Sequence, residues 1–246
     1  MPRARLQFLS KRDKIHAMFE WKGICAAGAV FDLDGTLIDS MEIWREIDEE
    51  FFAKRGMPVP AHYQEDIAHL GFRDVAAFTV KNYLPHEREE DMIAEWNEMC
   101  RQKYGAKGSG KYFKPDARRF VLSLRGQGVK LCVATASSPE LFVPALKKGG
   151  IYGAFEGFFT VDDAGRNKSF PDIFLMAAER LGLPPADCVA FEDSLTALHA
   201  AKRAGMQTVA VYDKSSEGQT ESLKAEADAF VYAFSEFFEI DQKRGI

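Results

Sequence analysis

Cysteine is scarce in this sequence of 246 residues, and the cysteines lie far apart. They are Cys25, Cys100, Cys132 and Cys188, and no two of them form a CxxC pair. All but Cys100 occur in apolar runs of the kind that form strands, where a free cysteine behaves as a small buried hydrophobe. Because the spacing does not indicate a disulfide framework, we expect a reducing, cytoplasmic compartment.

Long apolar runs and blocks of basic residues are also missing. No segment is apolar over the length needed to cross a bilayer, and residues 1–22 carry scattered charges in place of the apolar stretch of a secretory signal. The formal net charge is −5, which argues against binding to nucleic acid. The sequence therefore predicts no membrane and no nucleic-acid partner. It leaves the oligomeric state open, with a monomer favoured.

Two acidic residues follow the first apolar run of the chain, which covers residues 24–30. They are Asp32 and Asp34, in the segment FDLDGTL of residues 31–37. In open α/β sheets, ligands bind at the carboxyl ends of strands. Carboxylates placed close together repel each other, and a bound divalent cation would remove that cost. The pattern therefore predicts a ligand site at the end of the first strand.

The chain changes its pattern twice. From residue 41 to residue 111, apolar residues recur at helical spacing and no strand pattern occurs. From residue 115 onward, short apolar runs alternate with helical segments, which predicts a parallel sheet covered by helices on both faces. We therefore expect an α/β fold, a doubly wound parallel sheet with an inserted helical cap. The predicted domains are an N-terminal extension (1–23), a core (24–40 and 112–246) and a cap (41–111).

Further polar residues are placed at or after the ends of predicted strands. Thr135 follows the run 131–134, Lys168 comes after the candidate strand 158–161, and the pair Glu192 and Asp193 follows the run 189–191. A parallel sheet gathers such ends at one edge, the edge that also carries Asp32 and Asp34. Carboxylates, a hydroxyl group and a cation would therefore meet there.

These residues, taken in order, resemble the haloacid dehalogenase superfamily. The shared pattern is a DxDGT motif, a threonine at a strand end, a lysine, and an acidic segment, here FEDS at residues 191–194. The resemblance covers residues 24–212. The segment 191–206 and the helical insertion after the first motif are similar to the branch that contains β-phosphoglucomutase and related small-molecule phosphatases. The resemblance implies a Rossmann-like core.

The resemblance also implies a mechanism. Asp32 would attack phosphorus and form an aspartyl phosphate. Asp34 would act as general acid toward the leaving oxygen and then as base toward water. Thr135 and Lys168 would hold the phosphoryl oxygens, because phosphoryl transfer depends on positioning and on neutralising charge at those oxygens. Ala136 and Ser137, which follow Thr135, would also contact the substrate.

A metal site is implied by the same resemblance. Mg²⁺ would be held by the Asp32 carboxylate, the Asp34 backbone carbonyl and Asp193, with Glu192 close by. A site rich in hard oxygen donors favours Mg²⁺ over zinc. The acidic pair has an ordinary alternative, since acids at the start of the next helix could cap it.

Lys168 departs from the pattern of the branch. The branch usually reads Lys-Pro-x-Pro-Asp, whereas residues 168–172 here read KSFPD. A lone loop lysine is usually solvated, so Lys147 and Lys148 are alternatives for the same role. Thr135 likewise has an ordinary interpretation, as a strand residue whose hydroxyl is satisfied by the backbone.

Two residues of the predicted cap are candidates for contact with the substrate. His69 and Arg73 lie between predicted helices, in a loop that similar enzymes use to reach the substrate. Arg73 could pair with a second anionic group through its planar fork. Alternatively it forms a surface salt bridge with Asp74 or a neighbouring acid, and His69 is an ordinary loop histidine.

The sequence favours a Mg²⁺-dependent phosphatase that acts on a small phosphorylated metabolite. The alternative is a sugar phosphomutase of the β-phosphoglucomutase type. Trp44 and His69 stand where such mutases carry a histidine and a lysine, and both departures count against the mutase. A dehalogenase is less favoured because it needs neither Asp34 nor the acidic pair. A non-catalytic binding protein is least favoured, because all the acids of the motifs are present.

Overall fold

The computed structural model describes residues 18–67, 70–106 and 112–238, and its core is built on short strands. In chain order the strands are β1 (Phe19–Trp21), β2 (Ile24–Ala26), β3 (Gly28–Phe31), β4 (Lys130–Thr135), β5 (Gly157–Thr160), β6 (Cys188–Glu192), β7 (Gln207–Val211) and β8 (Ala229–Val231). Six of them form one parallel sheet in the spatial order β5-β4-β3-β6-β7-β8. The expected doubly wound parallel sheet is confirmed.

Ten α-helices occur in the described residues. They are α1 (Met41–Ala53), α2 (Tyr63–Ile67), α3 (Phe72–Asn82), α4 (Glu89–Ala106), α5 (Ala117–Gly126), α6 (Pro139–Lys148), α7 (Val161–Ala164), α8 (Asp172–Leu181), α9 (Leu195–Arg203) and α10 (Thr220–Glu226). The connections between parallel strands run through α6, α8 and α9, as βαβ units require. None of these helices is long and apolar enough to cross a membrane, over the described part of the chain.

The central strand β3 is buried on both faces. Ala29 and Phe31 pack into one apolar cluster, which includes side chains of α5 and α6. Val30, between them, packs into a second cluster with α8 and α9. This alternation follows from the period of two along a strand. Since helices cover both faces of the sheet, the amino-acid sequences of its strands are continuous apolar runs.

The pairing register places the end of β3 beside the ends of its neighbours. Phe31 lies opposite Val133 of β4 and Phe191 of β6. The rings of Phe31 and Phe191 are stacked, with centroids 4.5 Å apart. The residues that follow these three positions therefore emerge at the same edge of the sheet.

The insertion after β3 has an apolar cluster of its own. Residues 41–67 and 70–106 form α1 to α4 and no strand. Their core includes Ile47, Phe51, Tyr63 and Trp96, together with Leu141 from α6. The described part of this segment is helical, and the division into a core and a cap over residues 41–111 stays a prediction.

The structure divides the first apolar run into two strands. Residues 24–26 pair with β1 in an antiparallel hairpin, and only residues 28–31 join the parallel sheet. The hairpin begins at Phe19, inside the segment 1–23 that we interpret as an extension. The prediction that Cys25 is buried is wrong, because it lies on the outer face of the hairpin. Cys132 and Cys188 are buried as expected, and so is Cys100.

The segment before Lys168 also differs from the strand predicted for residues 158–161. Strand β5 ends at Thr160, and α7 follows at once, so that Val161 is helical. The Thr160 hydroxyl accepts a hydrogen bond from the Asp163 backbone N–H, and the Asp163 carboxylate accepts one from the Thr160 backbone N–H. This reciprocal pair is a capping box. Lys168 therefore follows a short helix and a loop, and not a strand end.

Candidate active site

Asp32 stands at the edge of the sheet, directly after β3. Its backbone N–H donates to the carbonyl oxygen of Phe191, 3.0 Å away, which extends the ladder with β6 by one residue. The side chain is only 7% exposed. Burial raises the pKa of this carboxyl group, and Lys168 acts in the opposite direction. A buried carboxylate with a cation beside it is suited to act as a nucleophile.

Lys168 links Asp32 to the acidic pair. Its Nζ atom lies 2.7 Å from Oδ1 of Asp32 and 2.6 Å from Oε1 of Glu192. Burial lowers the pKa of the ammonium group, but the two carboxylates outweigh burial and raise it. Lys168 is therefore charged at neutral pH. Lys147, one of the alternatives from the sequence, lies instead over the ring of Tyr152 at the end of α6.

Three buried carboxylates converge beside this lysine. Asp32, Glu192 and Asp193 each bring an oxygen to within 4.8 Å of the others. Burial raises the pKa of Glu192, and it raises the pKa of Asp193 to about 7 with the help of the nearby Asp32 charge. One ammonium group does not balance three carboxylates. An oxygen-only donor set with excess negative charge fits a hard divalent cation.

Gly35 allows the first motif to approach the acidic segment closely. Its φ is +81°, in the left-handed region that glycine adopts without strain. A Cβ atom at this position would lie 2.7 Å from Cγ of Asp193. The next residue, Thr36, is fully buried, and its hydroxyl donates to Oδ1 of Asp193 over 3.2 Å. Gly35 and Thr36 of the motif therefore position Asp193, which is a candidate metal ligand.

Asp34 is turned toward the helical insertion and is only partly buried. Its Oδ1 accepts from the Ser40 hydroxyl at 2.6 Å and from the indole N–H of Trp44 at 3.3 Å. Its Oδ2 accepts from the hydroxyl of Ser137. Three donors on two oxygens orient this carboxylate, and no ion pair to it occurs within the described part of the chain.

Thr135 lies at the end of β4 and is fully buried. Its hydroxyl accepts a hydrogen bond from the backbone N–H of Ser137 over 3.0 Å. This is the local backbone contact that the sequence offers as the ordinary interpretation, and it shapes the turn that brings Ser137 to Asp34. Ala136 and Ser137 line the cavity in front of the acids.

The last two candidates from the sequence are the cap residues His69 and Arg73. His69 lies outside the described residues. Arg73, on the first turn of α3, is largely exposed and lies 3.5 Å from Oδ2 of Asp162 on α7. It does not line the cavity. Its carboxylate partner comes from the core, and not from Asp74 beside it.

A cavity of about 220 Å³ opens in front of these groups. Asp32, Asp34, Lys168 and the acidic pair form its core side. Side chains from α1 to α4 form the opposite side, so a bound molecule would be enclosed between the sheet edge and the helical insertion. A concave site that joins perturbed carboxylates to an apolar wall is typical of an enzyme active site.

Comparison with known proteins identifies the family. Residues 27–205 match the family model of the haloacid dehalogenase-like hydrolases. The chain belongs to this family. It is 29% identical to YhcW of Bacillus subtilis (strain 168) over 191 residues, which are 75% of this chain and 83% of that protein. It is 30% identical over 193 residues to a probable pseudouridine-5'-phosphatase of Drosophila melanogaster, covering 75% and 80% of the two chains.

A solved structure shows the same fold. The β-phosphoglucomutase of Clostridium difficile superposes with a TM-score of 0.70 at 20% sequence identity, covering 86% of this chain and 92% of that one. The resemblance that the motifs indicate is therefore confirmed, and the protein is a haloacid dehalogenase-like hydrolase with the α/β core of that family.

Several contacts of this hydrolase site were not predicted from the sequence. The side chain of Ser40, directly before α1, makes no capping bond and donates to Asp34 instead. Asp213, behind Asp193, forms an ion pair of 2.9 Å with Lys114. Asp213 follows β7, so the rule that locates the other acids at strand ends could have found it. No such rule locates Lys114 or the contact of Trp44.

Proposed function

We propose that the protein is a phosphatase that releases phosphate from a small phosphorylated metabolite through a phosphoryl group carried transiently on Asp32. The observation that carries the proposal is the buried cluster of Asp32, Lys168, Glu192 and Asp193, with Asp34 oriented across from it. Curated relatives of the chain that bear the name phosphatase support the reaction type.

In the first step, a carboxylate oxygen of Asp32 attacks phosphorus and the ester oxygen leaves with a proton from Asp34. Lys168, already 2.7 Å from Asp32, neutralises charge on the transferring group. Such charge neutralisation and positioning account for most of the catalysis in phosphoryl transfer.

In the second step, Asp34 takes a proton from water as the water oxygen attacks phosphorus, which breaks the bond to Asp32 and releases inorganic phosphate. Ser40, Trp44 and Ser137 donate to the Asp34 carboxylate and hold it in orientation for this role as a base. A base must lie within hydrogen-bond reach of the proton that it abstracts. The helical side of the cavity limits access by other water molecules.

The acidic cluster fits Mg²⁺, with Asp32 and Asp193 as ligands and Glu192 beside them. When bound, the ion would supply positive charge to the nucleophile and to the phosphoryl oxygens. The backbone carbonyl of Asp34 is a further proposed ligand.

Removal of divalent cations with a chelator is expected to stop phosphate release, and added Mg²⁺ is expected to restore it. Release that is indifferent to chelation would contradict the metal assignment.

The decisive variant is Asp32→Asn, which removes the nucleophile but keeps its shape. We expect phosphate release from acetyl phosphate and from a panel of metabolite phosphates to fall by roughly a thousandfold or more, with an unchanged melting temperature. Asp39→Asn is the matched control, because Asp39 lies in the same loop and is exposed. Retention of most activity in Asp32→Asn would overturn the assignment. Conversion of β-glucose 1-phosphate into glucose 6-phosphate, without net release of phosphate, would favour the alternative function of a sugar phosphomutase.

A further inference from the structure

The two sides of the cavity differ in chemistry. The core side carries the acids, Lys168 and several hydroxyl groups. The helical side presents three aromatic rings, those of Trp44, Phe72 and Trp96. The ring of Phe72 lies between the two indoles, with centroids 5.7 Å from each. This aromatic wall offers a large, rigid apolar surface opposite the catalytic groups.

Polar groups on the helical side are few and are concentrated at one place. Asp48 of α1 is 7% exposed, lines the cavity and accepts a hydrogen bond from the side-chain amide of Gln64 on α2. Trp96 is 2% exposed, and its indole N–H has no hydrogen-bond partner among the described residues. Buried polar groups are normally paired. The nitrogen of Trp96 is itself buried, so the polar side chains that remain for a ligand on this side are those of Asp48 and Gln64.

Over the residues that the structure describes, no cation is paired with Asp48. Among the described residues that line the cavity, Lys168 is the one basic side chain, and it already lies between Asp32 and Glu192. Burial raises the pKa of Asp48 to about 7, and the amide of Gln64 only partly offsets that effect. A carboxyl group kept in a low-dielectric site at such a cost is a candidate for function.

The same features argue against two kinds of leaving group. A second phosphate or a carboxylate would need a cation on the helical side, where the described lining residues include the acid Asp48 and no basic side chain. A linear polyol carries a hydroxyl on every carbon, and each buried hydroxyl needs a partner. The aromatic wall supplies too few of them.

We propose that the substrate, under the phosphatase function proposed above, is a phosphate monoester whose leaving group ends in a flat heteroaromatic ring, as in a nucleoside monophosphate. The ring packs against the wall of Trp44, Phe72 and Trp96. Its edge donates to Asp48, while the amide of Gln64 serves either a donor or an acceptor of that edge. Stacking against aromatic side chains and pairing at polar edges is how proteins hold single bases.

The sugar that joins ring to phosphate has partners on the core side. Ser169, Ser194 and Thr196 line the cavity next to Lys168 and Asp193. The Ser169 hydroxyl already donates to Oδ1 of Asn167, and all three hydroxyl groups can accept. The cavity therefore offers partners for the phosphate, the sugar and the base of a nucleoside monophosphate.

The test compares substrates that carry a base with one that does not. Uridine monophosphate and adenosine monophosphate carry a base, and ribose phosphate, phosphorylated at the same carbon, does not. In the wild-type protein with Mg²⁺, kcat/KM for the better nucleotide should exceed that for ribose phosphate by about tenfold or more, as one stacked base predicts. Sorbitol phosphate and fructose bisphosphate should be poorer than the nucleotide.

Variants of the polar groups should reduce this preference. Asp48→Asn keeps the shape of the side chain but removes the carboxylate. It should lower the ratio of nucleotide to ribose phosphate kcat/KM by about fivefold to tenfold. Glu49→Gln is the matched control, since Glu49 is the next residue of α1, is exposed and pairs with Arg45. Gln64→Ala tests the amide at an exposed position, where folding is not at risk.

The outcomes separate this inference from the phosphatase function itself. If the wild-type protein releases no phosphate from acetyl phosphate or from any ester, the proposed function is wrong. If it releases phosphate but shows no preference for the nucleotide over ribose phosphate, the ring subsite is wrong. A preference that persists in both Asp48→Asn and Gln64→Ala would also overturn the assignment of these two residues.

Discussion

Trp44 connects the helical insertion to the acid at the end of the first motif. The residue lies on α1, and its indole N–H donates to Oδ1 of Asp34 over 3.3 Å. The same oxygen accepts from Ser40 at 2.6 Å. The orientation of Asp34 therefore depends on both the core and the insertion. A change in how the insertion packs would be transmitted directly to the proposed general acid and base.

Trp44→Phe tests this connection, because it removes the N–H but keeps an aromatic ring. We expect kcat to fall by about threefold to tenfold, as the loss of one hydrogen bond to a charged group predicts. KM should change less, since the aromatic wall remains. Steady-state kinetics across a pH series is the measurement. An unchanged kcat and pH profile would show that Trp44 only packs.

Asp48 should make the stability of the protein depend on pH. Its pKa is about 7 in the folded state, whereas an unfolded chain ionises it in the ordinary acidic range. Between these values the folded state holds a proton that the unfolded state releases, so stability falls as the pH rises toward 7. Asp48→Asn removes this dependence. At about pH 8 the variant should be more stable than the wild-type protein by up to about 4 kcal/mol.

Urea denaturation of both proteins at about pH 4 and about pH 8 measures this effect. The other buried acids of the site are present in both proteins, so the difference between them isolates Asp48. A variant that gains no stability at the higher pH would show that the carboxylate is not held in an unfavourable environment.

At the scale of elements, strand β6 carries both core packing and site residues. Phe191 is fully buried. Its ring is stacked on Phe31 at 4.5 Å and lies 5.4 Å from Phe120 of α5. The next residues along the chain are Glu192 and Asp193. Packing of one ring therefore determines where two candidate metal ligands stand, because interiors are close-packed and transmit strain.

Phe191→Ala should destabilise the protein by about 3–5 kcal/mol, through lost burial and the cavity that remains. Urea denaturation followed by circular dichroism is the measurement. Leu122→Ala on α5 is the control, because Leu122 is 47% exposed and should cost little. A loss below 1 kcal/mol at Phe191, or an equal loss at both positions, would contradict the central role of the ring cluster.

A short helix between strand and loop explains how Lys168 reaches Asp32. Helix α7 begins directly after β5, with its capping box at Thr160. Gly165 follows its last residue and has a φ of +65°. The chain then returns toward the sheet edge, where Lys168 meets Asp32 and Glu192. A Lys-Pro sequence is therefore not needed for this position of the lysine.

At the scale of the whole molecule, the helical insertion and the core meet around the cavity. Arg73 of α3 and Asp162 of α7 form an ion pair across this junction, with side chains that are 72% and 50% exposed. Exposed ion pairs contribute little to stability. We interpret this pair as a weak contact that helps to set the closed arrangement and that salt can weaken.

Arg73→Ala should therefore lower stability by less than about 1 kcal/mol. For a monophosphate substrate, kcat/KM should change by less than about threefold, and Asp162→Asn should have the same effect. The measurements are thermal denaturation and steady-state kinetics at low and high salt. A loss of more than about tenfold for Arg73→Ala alone would show that Arg73 contacts the substrate after all, as the sequence first suggests.

The sequence by itself determined the fold class and the candidates for chemistry. Alternation of short apolar runs with helices predicts the parallel sheet, since each strand is buried on both faces. The motif FDLDGTL, Lys168 and the acidic pair point to one edge of that sheet. These are local signals, read from spacing and residue type, and the structure brings the residues that carry them to within hydrogen-bond distance of each other.

Only the tertiary structure decided what lies opposite these residues. The contacts of Asp34 with Trp44 and Ser137, the pairing of Arg73 with Asp162, and the burial of Asp48 beside Trp96 join segments that are far apart in the chain. The break of the first apolar run at residue 27 is also tertiary, because one part pairs with β1 and the other with the sheet. Such contacts depend on how the helices pack, which residue spacing along the chain does not determine.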